Sequence, residues 1–509
     1  HCISSAASDV YKRQLLYSSS NCTIQNNILY NFYYGIFLCG EAGLGPCNNN
    51  LITGNQLDGN NVAWFGINMY DDGTVDGMEN NVISGNIVQN CYYNIYAGWD
   101  AVNTTIIGNI VTGSPDLVDY FPNYQYTDPP QELDNGYGIR ITGDGVASDG
   151  TIGGHLVQSN TVSGCKVGIL LNTFNVTVEE NTIYNNTIGI GIDDYLHPVT
   201  GTEIHHNNIY NNTNSGILNI ATTVVNATLN YWGDATGPHH PSNPSYMNGM
   251  GDNVSDYVDF SPWLDAAYPG GNPYADVFID SNENGVYDDG EPAFYSIQDA
   301  IDASNDGDVI KVNPGEYYES IIVNKSVKLV GDPIINANGS AYGVWIQAND
   351  TLFQNYTVYN FTQAGIYVYN ASFTIQNVTI DNCTITNSSY NTGQYGIYFN
   401  NVDDSVVNNS YIVNSSVAGI WLDYSTHCSI TNTTTSNNNV GIWLWYSSNC
   451  FITNITATSN NNVGIYLWES PNCIITNCTA SNNDWEGIDL YSSNNCFITN
   501  SMVSNNEYG

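Results

Sequence analysis

Four segments near the carboxyl end of the 509-residue chain align almost residue for residue: Gly419-Ile420-Trp421-Leu422, Gly441-Ile442-Trp443-Leu444, Gly464-Ile465-Tyr466-Leu467 and Gly487-Ile488-Asp489-Leu490. A cysteine follows each of them at a nearly constant distance, at Cys428, Cys450, Cys473 and Cys496. Both series advance by 22, 23 and 23 residues. A fixed period in the low twenties is typical of a solenoid.

Each period contains short β-branched stretches of alternating character, separated by Asn, Ser, Thr and Gly. Leucine-rich repeats have a similar period, but they require leucine at several fixed positions and a helical or 3₁₀ segment. The pattern here predicts two or three short strands per period and no helix. The coils then stack as parallel strands about 4.8 Å apart. The predicted fold class is all-β: a right-handed parallel β-helix, a solenoid in two tandem stacks.

Runs of asparagine recur in register just before the Gly-Ile pairs, at 437–439, 460–462 and 482–483. Asparagine tolerates the left-handed backbone that a tight corner requires. Its side-chain amide can also bond to the same amide one coil above, as in cross-β stacks. We therefore expect these runs to form ladders along a corner of the stack, in preference to simple polar loops.

The composition excludes some classes of function. Charged residues are 11% of the chain, and the net charge of −41 reflects only seven Lys and Arg. Ordinary globular domains have about a quarter charged residues. Binding to nucleic acid is disfavoured because there is no basic patch to neutralise phosphates. No stretch of the sequence is long and apolar enough to span a membrane, so no membrane segment is predicted.

The repeat pattern divides the chain into four segments. Residues 1–14 lack repeat character and are interpreted as a non-native or junction lead. A first β-helix with a C-terminal cap is predicted over 15–265, and a linker with a calcium-type loop over 266–295. A second β-helix, truncated at its end, is predicted over 296–509. It opens with a cap helix, because Ser296 is a suitable N-cap before apolar residues at helical spacing.

Several motifs resemble one known family. They are the Gly-Ile-x-Leu coils, the Ser-Ile-Gln-Asp-Ala-Ile-Asp opening at 296–302, the Asn-Pro-Gly-Glu-Tyr-Tyr-Glu stretch at 313–319, and the Asn-Tyr-Trp-Gly and Pro-Trp-Leu closing at 230–264. Together they resemble the NosD-type, pectin-lyase-like β-helix repeat family. The resemblance implies the fold, but the family includes polysaccharide lyases, hydrolases, epimerases, copper-site accessory proteins and cell-surface proteins. Fold alone therefore does not decide the function.

A twelve-residue stretch at 280–291 fits a calcium-binding loop at every position. The predicted ligands are side-chain oxygens, one backbone carbonyl and a bidentate carboxylate, at Asp280, Asn282, Asn284, Val286, Asp288 and Glu291. Gly285 occupies the position of the sharp turn. The preceding residues 277–279 read as strand, so this is a lone loop without the paired helices of an EF-hand. We expect a structural Ca²⁺, in preference to a sensor or an empty acidic turn.

Aromatic residues recur at the outward positions of the second stack, since Ile and Leu of each Gly-Ile-x-Leu point inward. The first outward column is Trp345, Tyr367, Tyr398, Trp421, Trp443, Tyr466 and Asp489, and the next is Gln347, Tyr369, Asn400, Asp423, Trp445, Trp468 and Tyr491. The candidate ligand-binding residues among them are Trp345, Tyr367, Trp421, Trp443, Trp445, Tyr466 and Trp468. Such a strip suits stacking on sugar rings, but stacked aromatics also join neighbouring coils. Both interpretations stay open at this point.

Evidence for catalysis is thinner. The outward face of the first stack offers Asp71, Asp72, Arg140, Asp193 and Asp194 as candidate catalytic residues. An arginine beside carboxylates suits elimination or hydrolysis of an acidic sugar. The motif order of the related hydrolases is not met, however, and a solvated acidic turn accounts for the same residues.

The twelve cysteines are interpreted mainly as small buried residues. The pair Cys39 and Cys47, which flanks a glycine-rich insertion, is the one disulfide candidate. His239 and His240 are too few ligands for a copper site.

The leading expectation is an extracellular or cell-surface, non-catalytic β-helix protein that is glycan-binding, adhesin-like or structural. Its partner would be a polysaccharide or a cell-surface glycan. The alternative is a polysaccharide lyase or glycoside hydrolase acting on the outer face of the first β-helix.

Overall fold

The computed structural model describes residues 14–40, 45–70, 78–98, 100–115, 133, 136–143, 153–195, 197–242, 249–288, 290–386 and 394–508. The chain forms two compact units, His1–Tyr274 and Ala275–Gly509. The boundary falls inside the predicted linker, so the calcium-type loop belongs to the second unit.

The first unit is a stack of coils whose strands pair almost entirely in parallel and in register. In its described part, one sheet has nine strands: Thr23–Gln25, Leu51–Thr53, Val82–Ser84, Thr105–Ile107, His155–Gln158, Val176–Glu179, Glu203–His205, Val225–Asn226 and Val258–Asp259. The other large sheet of these described coils has thirteen: Gln14–Tyr17, Ile28–Tyr30, Tyr34–Cys39, Gln56–Tyr70, Ile87–Ala97, Ile110–Thr112, Tyr137–Ile141, Thr161–Ser163, Val167–Leu171, Thr182–Tyr184, Ile188–Ile192, Asn208–Tyr210 and Ser215–Asn219. Short pairs join Met78–Glu79 to Ala101–Val102, and Trp263–Leu264 to Pro273–Tyr274.

The second unit has three large sheets, one for each side of its coils. Over the residues described, the first sheet contains Ala293–Phe294, Val277–Ile279, Val309–Val312, Lys328–Gly331, Leu352–Gln354, Thr379–Asp381, Val406–Asn408, Ser429–Thr431, Phe451–Thr453, Ile474–Thr476 and Phe497–Thr499. The second contains Glu316–Tyr317, Ile334–Asn336, Thr357–Tyr359, Thr384–Thr386, Tyr411–Val413, Thr434–Ser436, Thr456–Thr458, Thr479–Ser481 and Met502–Ser504. The third contains Ile321–Val323, Tyr342–Ile346, Ala364–Val368, Tyr395–Asn400, Ala418–Asp423, Val440–Trp445, Ile465–Trp468 and Ile488–Tyr491. A short pair of strands, Ile375–Gln376 and Val402–Asp403, lies at a corner.

The core of the second unit is a column of inward side chains, one set per coil. Ile397, Ile420, Ile442 and Ile465 pair in register and are fully buried, each contributing about 2 kcal/mol relative to an exposed side chain. The glycine before each isoleucine is explained by close packing, which leaves no room for a Cβ atom. A Cβ at Gly419 would lie 2.7 Å from the carbonyl oxygen of Gly441 and 2.8 Å from the side-chain nitrogen of Asn438.

Asparagine ladders run along a corner of both units. In the second unit the amide nitrogen of each ladder residue donates to the amide oxygen one coil on, through Asn438, Asn460, Asn483 and Asn506. The predicted ladder is therefore confirmed. A longer ladder in the first unit, not predicted, runs through Asn27, Asn55, Asn86, Asn109, Asn160, Asn181, Asn207 and Asn230 at 2.9–3.0 Å.

The left-handed backbone and the ladder amide, both expected of one asparagine, are supplied at this corner by two adjacent residues. The residue before the ladder takes the left-handed backbone, as at Asn437 with φ 54° and Gly108 with φ 65°. The next residue, Asn438 or Asn109, lies outside the left-handed region and supplies the ladder amide.

The ends of the stacks contain the predicted caps. Trp232 and Trp263 of the closing segment are buried in the first unit. The helix Ile297–Ala303 opens the second unit, and the Ser296 side chain accepts a hydrogen bond from the backbone N–H of Asp299. Glu319 adds a second cap, since its carboxylate accepts hydrogen bonds from the backbone N–H of Ile297 and Gln298 at 2.9 and 3.1 Å.

The cysteine column is confirmed, whereas the disulfide prediction is wrong. Cys428, Cys450 and Cys473 are buried in successive coils, and burial is among the causes that raise the pKa of the Cys450 thiol. Cys39 and Cys47 are not joined by a disulfide. The Cys47 thiol donates to the carbonyl oxygen of Cys39 instead of bonding to its sulfur.

Candidate functional site

All seven candidate ligand-binding aromatics lie on the outer face of the eight-stranded sheet of the second unit, among the residues that the structure describes. In-register pairing stacks the first column ring on ring. The centroid distances along Trp345, Tyr367, Tyr398, Trp421, Trp443 and Tyr466 are 5.8, 5.0, 4.7, 5.4 and 5.8 Å. The closest stack joins Tyr398 and Trp421, whose planes differ by 8°.

These rings therefore turn their faces toward one another and only their edges toward solvent. Tyr367 is 8% exposed, and the other first-column rings are half-buried. Nε1 of Trp345 donates to the Tyr369 carbonyl oxygen at 3.0 Å, whereas Nε1 of Trp421 and of Trp443 is enclosed without a hydrogen-bond acceptor. The first column is best explained as a stack that joins successive coils.

The second column changes character partway along the stack. Asn400 and Asp423 occupy two coils, and then Trp445, Trp468 and Tyr491 stack at 5.0 and 4.0 Å. Asp423 pairs in register with Trp445. Trp445 is therefore stacked on Trp468 on one side and follows Asp423 on the other, and it makes edge contacts with Trp443 and Tyr446.

A third aromatic element, Tyr424 and Tyr446, lies at the corner just beyond this column. Both residues have left-handed backbone with φ 48°. Their rings stack at 5.1 Å with an angle of 3°, and they are 59% and 38% exposed. The neighbouring corner positions are Asn401 and Glu469, which do not cover the outer faces of the pair with further rings. Both are more exposed than any ring of the first column, and among the second-column rings Tyr491, at 50%, is also more exposed than Tyr446. The two columns and this pair together form the aromatic face.

Tyr342 and Tyr395 also belong to the aromatic face, although alternation along the strand predicted inward positions for them. Tyr342 stacks on Tyr367 at 4.7 Å, and Tyr395 lies 4.7 Å from Trp421. In both strands the tyrosine directly precedes a glycine, and this Tyr-Gly pair was the available signal in the sequence.

The polar groups of the aromatic face form one connected set. The Tyr398 hydroxyl donates to Asp423 Oδ2 at 3.1 Å, and the Asn400 amide donates to Tyr398 at 3.2 Å. Burial raises the pKa of Asp423, with the Tyr398 hydrogen bond opposing the shift. Burial, followed by the Asp423 charge, raises the pKa of Tyr398. The hydroxyl and the carboxylate are therefore joined by a hydrogen bond on this face.

The calcium-type loop connects Val277–Ile279 with Ala293–Phe294, two antiparallel strands. Asp280 is 3% exposed, and its two carboxylate oxygens accept hydrogen bonds from the backbone N–H of Asn284 and Gly285 at 3.1 and 2.8 Å. Gly285 has φ 79°, which favours glycine at this turn. The loop thus closes on the carboxylate of its first residue.

The remaining predicted ligands converge on the same turn. The amide nitrogens of Asn282 and Asn284 both donate to Asp288 Oδ2 at 2.7 Å. Glu291 accepts from the backbone N–H of Ser281 and Asp288 at 2.7 and 3.1 Å. Rotation of the two amides by 180° would place their oxygens where the nitrogens now lie, beside the Asp288 carboxylate. Val286, the predicted carbonyl ligand, is exposed.

The candidate catalytic residues of the first unit do not form one constellation over the described residues. The Arg140 guanidinium lies over the rings of Tyr93, Tyr96 and Tyr137 at 5.1–5.8 Å and donates to the Tyr93 hydroxyl at 2.9 Å. Its strand lies two coils from the one that ends before Asp193.

The two carboxylates at 193–194 also differ from a catalytic pair. Asp193 is buried and accepts a hydrogen bond from the Tyr195 backbone N–H at 2.9 Å, whereas Asp194 is exposed. Asp71 and Asp72 lie outside the described residues, as does most of the insertion at 114–135.

Comparison with known proteins supports the fold. A family model described as a right handed beta helix region matches residues 321–439 and 376–509. A cell surface glycoprotein of Methanothermus fervidus is 31% identical over 136 residues, which are 26% of this chain and 17% of that protein. The chain thus spans about a sixth of the length of this curated relative.

Two solved structures are similar to this chain at low sequence identity. Pectate lyase Pel9A has 18% identity and a TM-score of 0.34, covering 40% of this chain and 61% of its own. The A-module of the Azotobacter vinelandii mannuronan C-5 epimerase AlgE4 has 9% identity and a TM-score of 0.31, covering 98% and 88%.

The coil architecture and the family match agree with each other. The chain has a right-handed parallel β-helix fold. In the part of the chain that the structure describes, no helix is long and apolar enough to cross a membrane.

Proposed function

We propose that this chain is the β-helical part of an extracellular cell-surface protein that binds glycans without transforming them. The observation that carries the proposal is the aromatic face of the second unit, which ends in the accessible stacked pair Tyr424 and Tyr446. The relative from Methanothermus fervidus, named a cell surface glycoprotein, supports the location.

Joining of coils and stacking on sugars are assigned to different aromatic residues. The first column joins coils, because its ring faces are covered by neighbouring rings. Stacking on a sugar requires an exposed ring, which Tyr424 and Tyr446 provide. The first column holds this surface rigid, so a glycan would bind without an ordering cost in the protein.

The charges favour a neutral glycan over a polyuronate. The lysines of the second unit are Lys311, Lys325 and Lys328, all in its opening coils, and the unit contains no arginine in its sequence. The aromatic face instead contains Asp423 and Asp489. A polyanionic chain would meet unpaired carboxylates and no cation, whereas sugar hydroxyls can donate to carboxylate oxygens.

The alternative is a polysaccharide lyase or glycoside hydrolase on the first unit. The candidate arginine, Arg140, lies over three tyrosine rings. The coil that contains Arg140 lies two coils from the coil of Asp193. The binding function is therefore favoured by the geometry.

One experiment separates these functions. The full chain is passed over immobilised neutral polysaccharides and polyuronates, and the same polymers are assayed for shortening, each with and without Ca²⁺. The proposal predicts retention on a neutral polymer with no change in polymer length. Shortening of any polymer, abolished by Arg140→Ala, would establish the alternative. Retention on polyuronates alone would contradict the neutral-glycan assignment.

The calcium-type loop is proposed to bind a structural Ca²⁺ within the second unit. Asp280, Asn282, Asn284, Asp288, Glu291 and the Val286 carbonyl supply hard oxygens around one turn. Calorimetry should show one Ca²⁺ site that Asp280→Ala removes, while Glu283→Ala, which removes a carboxylate paired with Lys328 at 3.2 Å, retains it. Absence of Ca²⁺ binding by the wild type, or equal binding by Asp280→Ala, would exclude the site.

A further inference from the structure

A group of metal-ligating side chains lies on the second unit, in the two turns that follow Asn401 and Tyr424. Ligand atoms of Asp403, Asp404 and His427 lie within 4.8 Å of one another. His427 and Asp404 are exposed and Asp403 is partly exposed. We propose that these three residues form a surface site for a divalent transition-metal ion, with Zn²⁺ as the probe.

The donor set fits such an ion better than a calcium ion. An imidazole nitrogen with two carboxylates is a common ligand set for zinc, whereas Ca²⁺ takes oxygen ligands alone. A fourth position would remain for water or for a ligand group, since no further His, Cys, Asp or Glu joins the group among the described residues.

The distances require small movements only. Two ligands of a tetrahedral zinc lie about 3.3 Å apart when each bond is about 2.0 Å long. Nδ1 of His427 lies 2.8 Å from Asp403 Oδ1. Zinc between these atoms would separate them by about half an ångström. The ligand atom of Asp404 lies within 4.8 Å of the other two, so its exposed side chain would turn inward by at most about 1.5 Å.

The stack fixes the three residues across two successive coils. Asp403 and Thr426 form a parallel bridge, and the Asp404 backbone N–H donates to the Thr426 carbonyl oxygen at 3.2 Å. Asp404 and His427 thereby occupy the same corner position, one coil apart. The Thr426 hydroxyl also donates to Asp403 Oδ1 at 2.7 Å, which orients that carboxylate.

The same corner differs in other coils. Its left-handed position is filled by Asn377, Asn449, Asn472 and Asn495 in four other coils. An amide suits this backbone at least as well as an aspartate or a histidine does. Asp350 also replaces asparagine at this position, but the next coil there presents Asn377, whose amide donates to the Asp350 carboxylate at 2.7 Å. Asp404 and His427 are in successive coils, so a carboxylate and an imidazole come together beside Asp403.

A bound metal would join the coil of residues 403–404 to the coil of 427. Because the ligands come from a preformed corner, the ion would bind the folded state and raise its stability by mass action. The competing account is a simple ion pair between His427 and Asp403, in which Asp404 has no part.

The test is a calorimetric Zn²⁺ titration of the full chain, with Ca²⁺ present so that the calcium-type loop is not available to zinc. His427→Ala and Asp404→Asn should each weaken one equivalent of zinc binding by at least about tenfold. The matched control is His205→Ala, which removes the imidazole of a His205–Glu179 pair at 3.1 Å in the first unit. Zinc binding by this control should be unchanged.

The outcomes separate the two accounts. Asp404→Asn retains the ion pair, so unchanged zinc affinity in this variant means that the group is an ion pair only. Wild-type zinc binding by His427→Ala would overturn the proposal directly. A second readout is the unfolding temperature, which zinc should raise in the wild type and in His205→Ala but not in His427→Ala.

Discussion

Tyr398 and Trp421 lie on successive coils with their ring centroids 4.7 Å apart and their planes 8° from parallel. This spacing equals the rise of about 4.8 Å between paired strands, so the coil stack itself places ring on ring. An aromatic at the same position in each coil therefore stabilises the stack, whatever else binds to its surface.

Substitutions in the first aromatic column should lower the free energy of unfolding more when the aromatic ring is removed than when it is kept. Trp421→Ala removes stacking on Tyr398 and Trp443 and should lower the unfolding free energy by about 2 kcal/mol. Trp421→Phe keeps a ring and removes the enclosed indole N–H that has no acceptor, so it should change stability by less than about 1 kcal/mol. Urea unfolding measures both. Equal losses for Ala and Phe would show that stacking is not the cause.

The asparagine ladder of the first unit should be sensitive to a single truncation. Asn109 donates to the Ile83 and Ile107 carbonyls and to Asn160, and its oxygen accepts from the backbone and side chain of Asn86. Asn109→Ala leaves buried partners unpaired and should lower the unfolding free energy by about 3 kcal/mol or more. Chemical unfolding of this variant is compared with that of Asn214→Ala, an exposed position. A loss as small as that of the control would refute the structural role of the ladder.

Glu319 should matter as the cap of the opening helix. Glu319→Gln replaces one of the two accepting oxygens with a donor facing backbone N–H groups. The expected loss is about 1 kcal/mol, with faster hydrogen exchange at the amides of Ile297 and Gln298. Asp299→Asn, an exposed acid in the first turn, is the control with a smaller effect. Unchanged exchange at Ile297 and Gln298 would argue against capping by Glu319.

The stability of the first unit should fall in mild acid because of His155. Burial lowers the pKa of His155 to about 4, with the hydrogen bond to the Gly143 carbonyl opposing the shift. The unfolded chain binds a proton near pH 6.5, so the stabilising effect of the neutral ring is present above that pH. It is lost progressively as the pH falls from about 6.5 to 4, up to about 3 kcal/mol. His155→Gln should flatten this slope in unfolding measurements at stepped pH. An unchanged slope would contradict the assignment to His155.

The sequence predicted the features that repeat in register. The period, the inward isoleucines such as Ile442, the Ser296 cap and the ladder through Asn460 follow from spacing alone. The first-unit ladder escaped prediction because insertions vary the distance between its members, as between Asn109 and Asn160. The orientation of ring faces is also not encoded in a residue pattern, since it depends on the coil rise and on the side-chain rotamer.

Contacts between distant parts of the chain were harder to predict. The pairing of Cys39 with Cys47 followed only from their separation in sequence, whereas the backbone turns the Cys47 thiol toward a carbonyl. His427 meets Asp403 because parallel pairing of Asp403 with Thr426 places the two residues side by side in successive coils. Residues that become neighbours in this way can be identified once the coils are aligned in three dimensions.

The most direct test of the glycan-binding proposal compares three proteins on the neutral polysaccharide that retains the wild type. The double variant Tyr424→Ala/Tyr446→Ala removes the accessible ring faces. The control, Phe451→Ala, removes a ring that is 47% exposed on a different sheet of the same unit. Affinity electrophoresis should show binding at least about tenfold weaker for the double variant and unchanged binding for the control. Equal retention of all three proteins would contradict the assignment of glycan binding to this face.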